Sequence, residues 1–291
     1  MASGVTQQVN DGGEPFTVEG APWIRVVPLR TPTLPPATRT NCYLVGDAGR
    51  AIAIDPATPY SDEQDRLDDF VQLHNIRLSE IVLTHHHLDH VGDATRLAAK
   101  HGVGIAAHAV TADKLRGRVA VTREIADGER LDVGPRGLRA KFTPGHAPGH
   151  LCFVDEAASS IVAGDMVASL GTIIVEPDDG GDMRIYLESL QALRAEVAAG
   201  MRRLLPAHGA PVDDGGALLD HYVAHRLGRE ARVAAALTGE AQEVVALVPP
   251  AYPDVSPALY GLAARSLLAH LIKLEYDGHA RRHADGRWSR A

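Results

Sequence analysis

The run Ile81-Val82-Leu83-Thr84-His85-His86-His87-Leu88-Asp89-His90 constrains this chain more than any other stretch. A short apolar, β-branched segment ends in four histidines and an aspartate, so a strand delivers metal-type donors into a loop. Neutral imidazole and carboxylate both suit zinc-like ions. Without an ion, protonated imidazoles this close together repel, and buried polar edges lack partners. Side chains alternate along an extended backbone, so His85 and His87 share one side and chelate one ion together. Asp89 and His90 then turn away to serve a second, adjacent ion. The same alternation sends His86 and Leu88 elsewhere, His86 into packing or behind the ligands.

The pattern recurs downstream. Strand-like segments at 138–143, 160–163 and 203–205 run into Pro144-Gly145-His146, Gly164-Asp165 and Pro206-Ala207-His208-Gly209. Four strands therefore present donors at loops on one edge of a sheet system, where rigid backbone holds them in place. His150 competes with His146; His146 comes first off its strand and is preferred, leaving His150 in the core or behind a ligand. Asp55 closes a strand at 51–54 and reads as a turn cap in preference to a group that orients a ligand histidine. His108 fits no ligand spacing and reads as structural.

Around these strands, residues 1–21 form a loose, Gly-rich lead-in. Strands are predicted at 24–27 and 40–45, separated by an irregular loop at 28–36 that carries four prolines. Ser61 and Gln64 have capping-box spacing for a helix. Helical periodicity also covers 90–101, stopped by Gly102, and 183–197. A strand follows at 103–107, with turns at Asp127-Gly128 and Gly134-Pro135. Strands interleaved with helices predict two sheets with helices outside, an αββα sandwich. Beyond residue 216 the pattern becomes helical at 217–237, 241–248 (ended by Pro249-Pro250) and 257–276. A hairpin at 279–290 closes the chain and gives this part a winged-helix-like outline. The predicted organisation is a lead-in at 1–21, a catalytic domain at 22–215 and a C-terminal domain at 216–291.

Composition narrows the partners. A formal charge of −8, from 37 acidic and 29 basic residues, argues against nucleic-acid binding by the whole surface, though not by a local basic patch. Cys42 and Cys152 sit in apolar runs and read as reduced core thiols. Residues 1–20 lack the apolar core of a secretory signal. No run approaches the roughly 18 apolar residues of a membrane span. The expectation is a soluble cytoplasmic protein without membrane contact, its oligomeric state open.

His85-x-His87-x-Asp89-His90 resembles the metal-binding signature of the metallo-β-lactamase superfamily. The resemblance continues in order through Gly145-His146, Gly164-Asp165 and His208-Gly209, over most of residues 22–215. It implies the same four-layer αββα sandwich. It implies that His85, His87 and His146 hold one metal, Asp89, His90 and His208 a second, with Asp165 bridging. Two zinc ions suit His/Asp donors without thiolate; iron or manganese fits the same set. The implied reaction is hydrolysis by a metal-bound hydroxide, with Asp89 aiming it.

The layout is most similar to lactamase-like proteins with a C-terminal winged-helix-like extension, and His-Ala-Pro-Gly-His is closer to thioesterase-like members. The leading expectation is a hydrolase of a small ester, thioester or lactone. A second is a single-strand RNA endoribonuclease. There the C-terminal module grips RNA through Lys273, Arg281, Arg282, Arg287 and Arg290 and stacks a base on Trp288. The plainer reading has Trp288 anchoring the hairpin to the helices. A third is a non-catalytic, metal-containing interaction protein that dimerises through its C-terminal helices. Closed structural sites favour four thiolate-rich ligands, unlike seven His/Asp donors.

Overall fold

Strand pairing follows chain order from the start of the computed structural model, which describes residues 13–47, 49–133 and 137–291. β1 (Phe16–Val18), β2 (Ala21–Arg30), β3 (Arg39–Asp47) and β4 (Arg50–Ile54) form an antiparallel meander. α1 (Ser61–Leu73) crosses to β5 (Arg77–Val82), which lies parallel to β4. α2 (Leu88–Val91) and α3 (Ala94–His101) lead to β6 (Ile105–Ala107), and α4 (Ala109–Lys114) leads to β7 (Arg123–Glu124). These seven strands make one sheet. β8 (Arg130–Leu131), β9 (Leu138–Phe142), β10 (Leu151–Asp155), β11 (Ser160–Gly164) and β12 (Arg203–Pro206) make the second, with α5 (Met183–Ala198) between its last two strands. The chain ends in α6 (Gly215–Ala236), α7 (Val244–Ala251), α8 (Tyr260–Tyr276) and the hairpin β13 (Ala280–Arg282) and β14 (Trp288–Arg290).

Alternation along the central strands builds the layers. Tyr43, Val45, Ile52 and Ile54 point at Phe153, Val162 and Leu205 of the second sheet. Leu44, Ala53 and Ile81 point the other way, onto Leu67 and Val71 of α1 and Leu97 of α3. On the far side Cys152, Val154 and Ile161 meet Tyr186, Leu190 and Leu193 of α5 and Leu219 of α6. Burying each large apolar side chain stabilises by about 1.5–3 kcal/mol, so strands apolar on both faces are held between sheet and helix layers. The result is the expected αββα sandwich. Cys42 and Cys152 are free thiols within it. Burial raises both, the Cys152 thiol to about 12.

Several local expectations give way to tertiary context. β2 runs through Pro28, which opposes Asn41. Pairing with β1 stops at Val26, so a proline beyond it costs no ladder bond there. Ser61 is inside α1; Tyr60 holds the cap position without a side-chain bond, and Gln64 donates to the Thr58 carbonyl instead. The helix expected over 90–101 is two helices broken at Gly92, where a Cβ would meet the Ala57 carbonyl oxygen at 2.5 Å. Pro249 and Pro250 lie inside α7. They fall in its last turn, where the Tyr252 amide still closes on the Val248 carbonyl. The turn expected at Gly134-Pro135 and residues 1–12 of the lead-in lie outside the described residues.

The C-terminal elements share their own core of Leu247, Val248, Leu267, Leu271, Leu274 and Trp288. Trp288 is only 1% exposed, so its ring anchors the hairpin and presents no face to a base. Among the described residues no helix is long and apolar enough to cross a membrane.

Candidate metal centre

Strand direction gathers the donors. β9 is antiparallel to β10, β10 to β11, and β11 is parallel to β12, so β9, β11 and β12 all end on one edge. Their loops carry His146, Asp165 and His208. The parallel β4 and β5 deliver Asp55 and His85. His87, Asp89 and His90 follow, with α2 turning the last two inward.

The first group is a triangle of ring nitrogens. His85 Nε2 lies 2.9 Å from His87 Nδ1, His146 Nε2 lies 3.0 Å from the same atom, and the two Nε2 atoms are 3.3 Å apart. Outward partners assign the tautomers. His146 Nδ1 donates to the Ile174 carbonyl at 2.7 Å, and His87 Nε2 donates to Asp179 Oδ2 at 2.9 Å. Thr84 Oγ1 gives its hydrogen to Asp55 Oδ2 at 2.6 Å, so it accepts from His85 Nδ1 at 3.0 Å. Each neutral imidazole has one N–H, and all three are committed outward. Three lone pairs therefore face one another, an arrangement that needs a cation between them. Tetrahedral zinc with about 2.0–2.1 Å bonds places its nitrogens about 3.3 Å apart. Burial, and the neighbouring imidazoles, push His85 and His146 well below the usual histidine range, keeping them neutral.

The second group surrounds Asp165. Its Oδ1 lies 3.3 Å from His208 Nε2 and 3.5 Å from His90 Nε2, while its Oδ2 lies 3.5 Å from His146 Nε2. One carboxylate thus faces both groups. His208 Nε2 is 3.7 Å from Asp89 Oδ2. The outward nitrogens are again committed, His90 Nδ1 to Asp55 Oδ2 at 2.8 Å and His208 Nδ1 to the Arg39 carbonyl at 3.0 Å. Burial opposes charge here, yet His208 and His90 hold Asp165 well below the carboxylate range. Asp165 in turn holds both imidazoles above theirs. This spot calls for positive charge. His90 Nε2 and Asp165 Oδ1 are also fully buried without a hydrogen-bond partner. Buried polar atoms left in that state need another ligand, and a metal ion meets the need. The donor set fits metal ions in both groups.

Local sequence explains the turns. Gly145 has φ +126°, and a Cβ there would lie 2.3 Å from Tyr186 backbone; Gly164 would strike His150 Nε2 at 2.5 Å. His150 points away from the lone-pair triangle. Its Nε2 accepts from the Asp165 amide at 3.1 Å and its Nδ1 meets Thr143 Oγ1 at 2.9 Å, so it sets the Asp165 backbone from the core. Burial lowers it to about 3. His108 caps α4 through the Val110 amide and stacks on Phe142, a structural role. Asp55 corrects the turn-cap reading. Its carboxylate accepts from the Thr84 amide and hydroxyl and from His90, behind both groups. Its φ of +52° is the signal in the backbone; the sequence signal was only an aspartate closing a strand.

A cavity of about 330 Å³ opens over the donors. His87, Asp89, His146, Asp165 and His208 form its floor, and Leu34, Ala37, Leu170 and Ile174 line its walls together with Leu262 and Arg265 from α8.

Fold and site together define a protein of the metallo-β-lactamase superfamily type, with a His/Asp cluster that could hold metal ions. Residues 35–208 match the metallo-beta-lactamase superfamily and residues 244–288 the beta-lactamase associated winged helix domain; the chain belongs to that superfamily. It is 36% identical over 203 residues to the lactamase-like protein nscB of Arthroderma gypseum, covering 69% of this chain and 60% of that protein. It is 32% identical over 233 residues to the lactamase-like protein vrtG of Penicillium aethiopicum, covering 80% and 72%. It is 33% identical over 202 residues to the atrochrysone carboxyl ACP thioesterase AgnL7 of Paecilomyces divaricatus, covering 68% and 59%. The matched part therefore spans about three fifths of nscB and AgnL7. Among solved structures, a metallo-beta-lactamase family protein of Thermus thermophilus shares the fold with a TM-score of 0.78 at 24% identity, over 93% of this chain and 99% of that one. A beta-lactamase domain protein of Burkholderia ambifaria does so with 0.82 at 22%, over 98% and 96%.

Proposed function

We propose that this chain is a dinuclear zinc hydrolase acting on the carbonyl of a small thioester, ester or lactone. The observation that carries this is the triangle of His85, His87 and His146, whose N–H groups are tied outward while their lone pairs face one another, beside the Asp165 carboxylate that also faces His90 and His208 and lines the cavity. In this reading His85, His87 and His146 would hold one ion and Asp89, His90 and His208 the other, with Asp165 serving both. When bound, the ions would bring the pKa of a water towards neutrality and offset charge developing on the substrate oxygen.

The chain's residues supply the rest. Asp89 accepts a hydrogen bond from the attacking water and aims its oxygen at the carbonyl carbon. As that oxygen bonds to carbon, the bond to the leaving sulfur or oxygen breaks, and the water's proton passes through Asp89 to the departing group. The apolar walls at Leu34, Ala37, Leu170 and Leu262 receive the acyl skeleton and keep solvent from it. The relative named as a thioesterase supports placing thioesters first. Residues 22–215 then act as the catalytic domain, and the end of the expected lead-in joins it, since Phe16–Val18 forms the edge strand of its first sheet. Residues 216–291 form a C-terminal domain that lends Leu262 and Arg265 to the pocket. That use of α8, with Trp288 packed inside, favours a small acyl substrate over RNA.

The test is elemental analysis of the purified protein together with a panel of thioesters, esters, lactones, phosphodiesters and single-stranded RNA. We expect two zinc equivalents and thioester turnover that chelation abolishes and zinc restores. Turnover confined to RNA, or turnover indifferent to chelation, overturns the proposal.

A further inference from the structure

We propose that Asp179 is the positioning residue that aims His87 at its ion, an assignment that rests on the metal-centre reading above. The five imidazoles are not equally secured. The side chains of His85 and His90 are 0% exposed and those of His146 and His208 6%, but that of His87 is 26% exposed. Packing alone does not settle which edge of that ring faces inward, and a half-turn about its last torsion would put Cδ2 in the place of Nδ1 and Cε1 in the place of Nε2, so that a C–H would face the ion. The Asp179 carboxylate decides it by accepting from His87 Nε2.

Asp179 is itself held. It ends the 3₁₀ turn Pro177–Asp179, and Lys114 Nζ of α4 donates to its carbonyl at 2.8 Å and to its Oδ1 at 3.1 Å. Its Oδ2 also accepts from His86 Nε2 at 2.8 Å. His86, turned away from the ion by strand alternation, thereby finds its use on the outside of the site. Lysine, carboxylate and two imidazoles form one bracket around the His85-His86-His87 run, with Asp179 at its centre.

His86, His87 and Asp179 also have the spacing of a third metal site. Two observations argue against it. The Lys114 ammonium already supplies the positive charge at Asp179. His87 has a single lone-pair nitrogen when neutral, and the triangle with His85 and His146 uses it.

The test uses the full chain, stripped of metal and titrated with cobalt(II), with bound ions counted by elemental analysis and followed by visible absorption. The unaltered chain is expected to bind two equivalents. Asp179→Ala should weaken one of the two by about 10–100-fold and alter its absorption band, leaving the other intact. Asp179→Asn, whose amide oxygen still accepts, should recover part of the loss and serves if the alanine variant does not fold. Lys114→Met should weaken the same ion to a smaller degree. Two ions bound by Asp179→Ala with unchanged affinity and spectrum would overturn the role of Asp179 alone. A third equivalent that Asp179→Ala loses would replace it with a ligand role. No uptake by the unaltered chain would overturn the metal centre and this assignment together.

Discussion

At the scale of single residues, Asp55 shows that the site is assembled at the expense of local strain. A non-glycine residue in the left-handed region costs of order 1–3 kcal/mol and persists only where its surroundings impose it. Here three donors impose it: the Thr84 amide, the Thr84 hydroxyl and His90 Nδ1. The aspartate was visible in the sequence as the last residue of a strand, but its partner lies 35 positions away, so a turn cap was the better local reading. Asp55→Ala strands buried donors, each worth about 1–3 kcal/mol, and frees His90 to rotate. We expect lower stability of the metal-free protein in denaturant titration, and ion affinity at the His90 position lower by about 10–100-fold in chelator competition. Asp55→Asn, which tolerates a positive φ, should be milder. Unchanged affinity in both variants would remove Asp55 from the site.

At the scale of elements, the two sheets are locked together next to His208. The β3 residue Asn41 donates through Nδ2 to the Pro206 and Gly209 carbonyls at 2.9 and 2.8 Å, and its amide donates to the Ala207 carbonyl. Tyr43 Oη donates to the Pro206 carbonyl at 2.7 Å. A loop from the second sheet is thereby pinned on the edge of the first, and His208 with it. Asn41→Ala takes the Nδ2 donor from the Gly209 carbonyl and leaves Pro206 with Tyr43 as its side-chain donor, so we expect a loss of about 1–3 kcal/mol. Thioester kcat/KM should fall together with it, since His208 loses its support. A variant with normal melting and wild-type turnover would show that β3 serves the fold only through its apolar face. The strand itself was legible from its apolar run; the use of its one amide side chain was not, because the acceptors lie more than 160 positions downstream.

At the scale of the whole molecule, the C-terminal helices brace the loops next to the candidate metal donors. Arg226 of α6 is buried, donates to the Ile173 carbonyl and lies 5.3 Å from the centre of the Tyr186 ring. The next carbonyl, of Ile174, is the acceptor for His146 Nδ1. Tyr222, one turn earlier on α6, bonds both the amide and the carbonyl of Ala168, just past Asp165. Arg265 of α8 pairs with Glu176 on the same loop. Arg226→Met keeps the apolar stem but removes the donor. It should destabilise by about 1–3 kcal/mol and lower kcat/KM, with helix content by circular dichroism unchanged. Full kcat/KM in that variant would mean that the helices merely cover the sandwich.

Neighbouring residues alone determined the strand-then-donor pattern, the placing of His85 and His87 on one side, the outward turn of His86, the layer order and the terminal hairpin. Each is set by backbone period and turn chemistry, which are properties of adjacent positions. Tertiary structure decided the tautomers, through Asp55, Asp179 and the carbonyls of Arg39 and Ile174. It also decided that Pro28 stays within a strand, that a helix breaks at Gly92 against the Ala57 carbonyl, and that Trp288 is buried. Those outcomes depend on hydrogen bonds and contacts between residues brought together only when the sheets pack, and no local period encodes them.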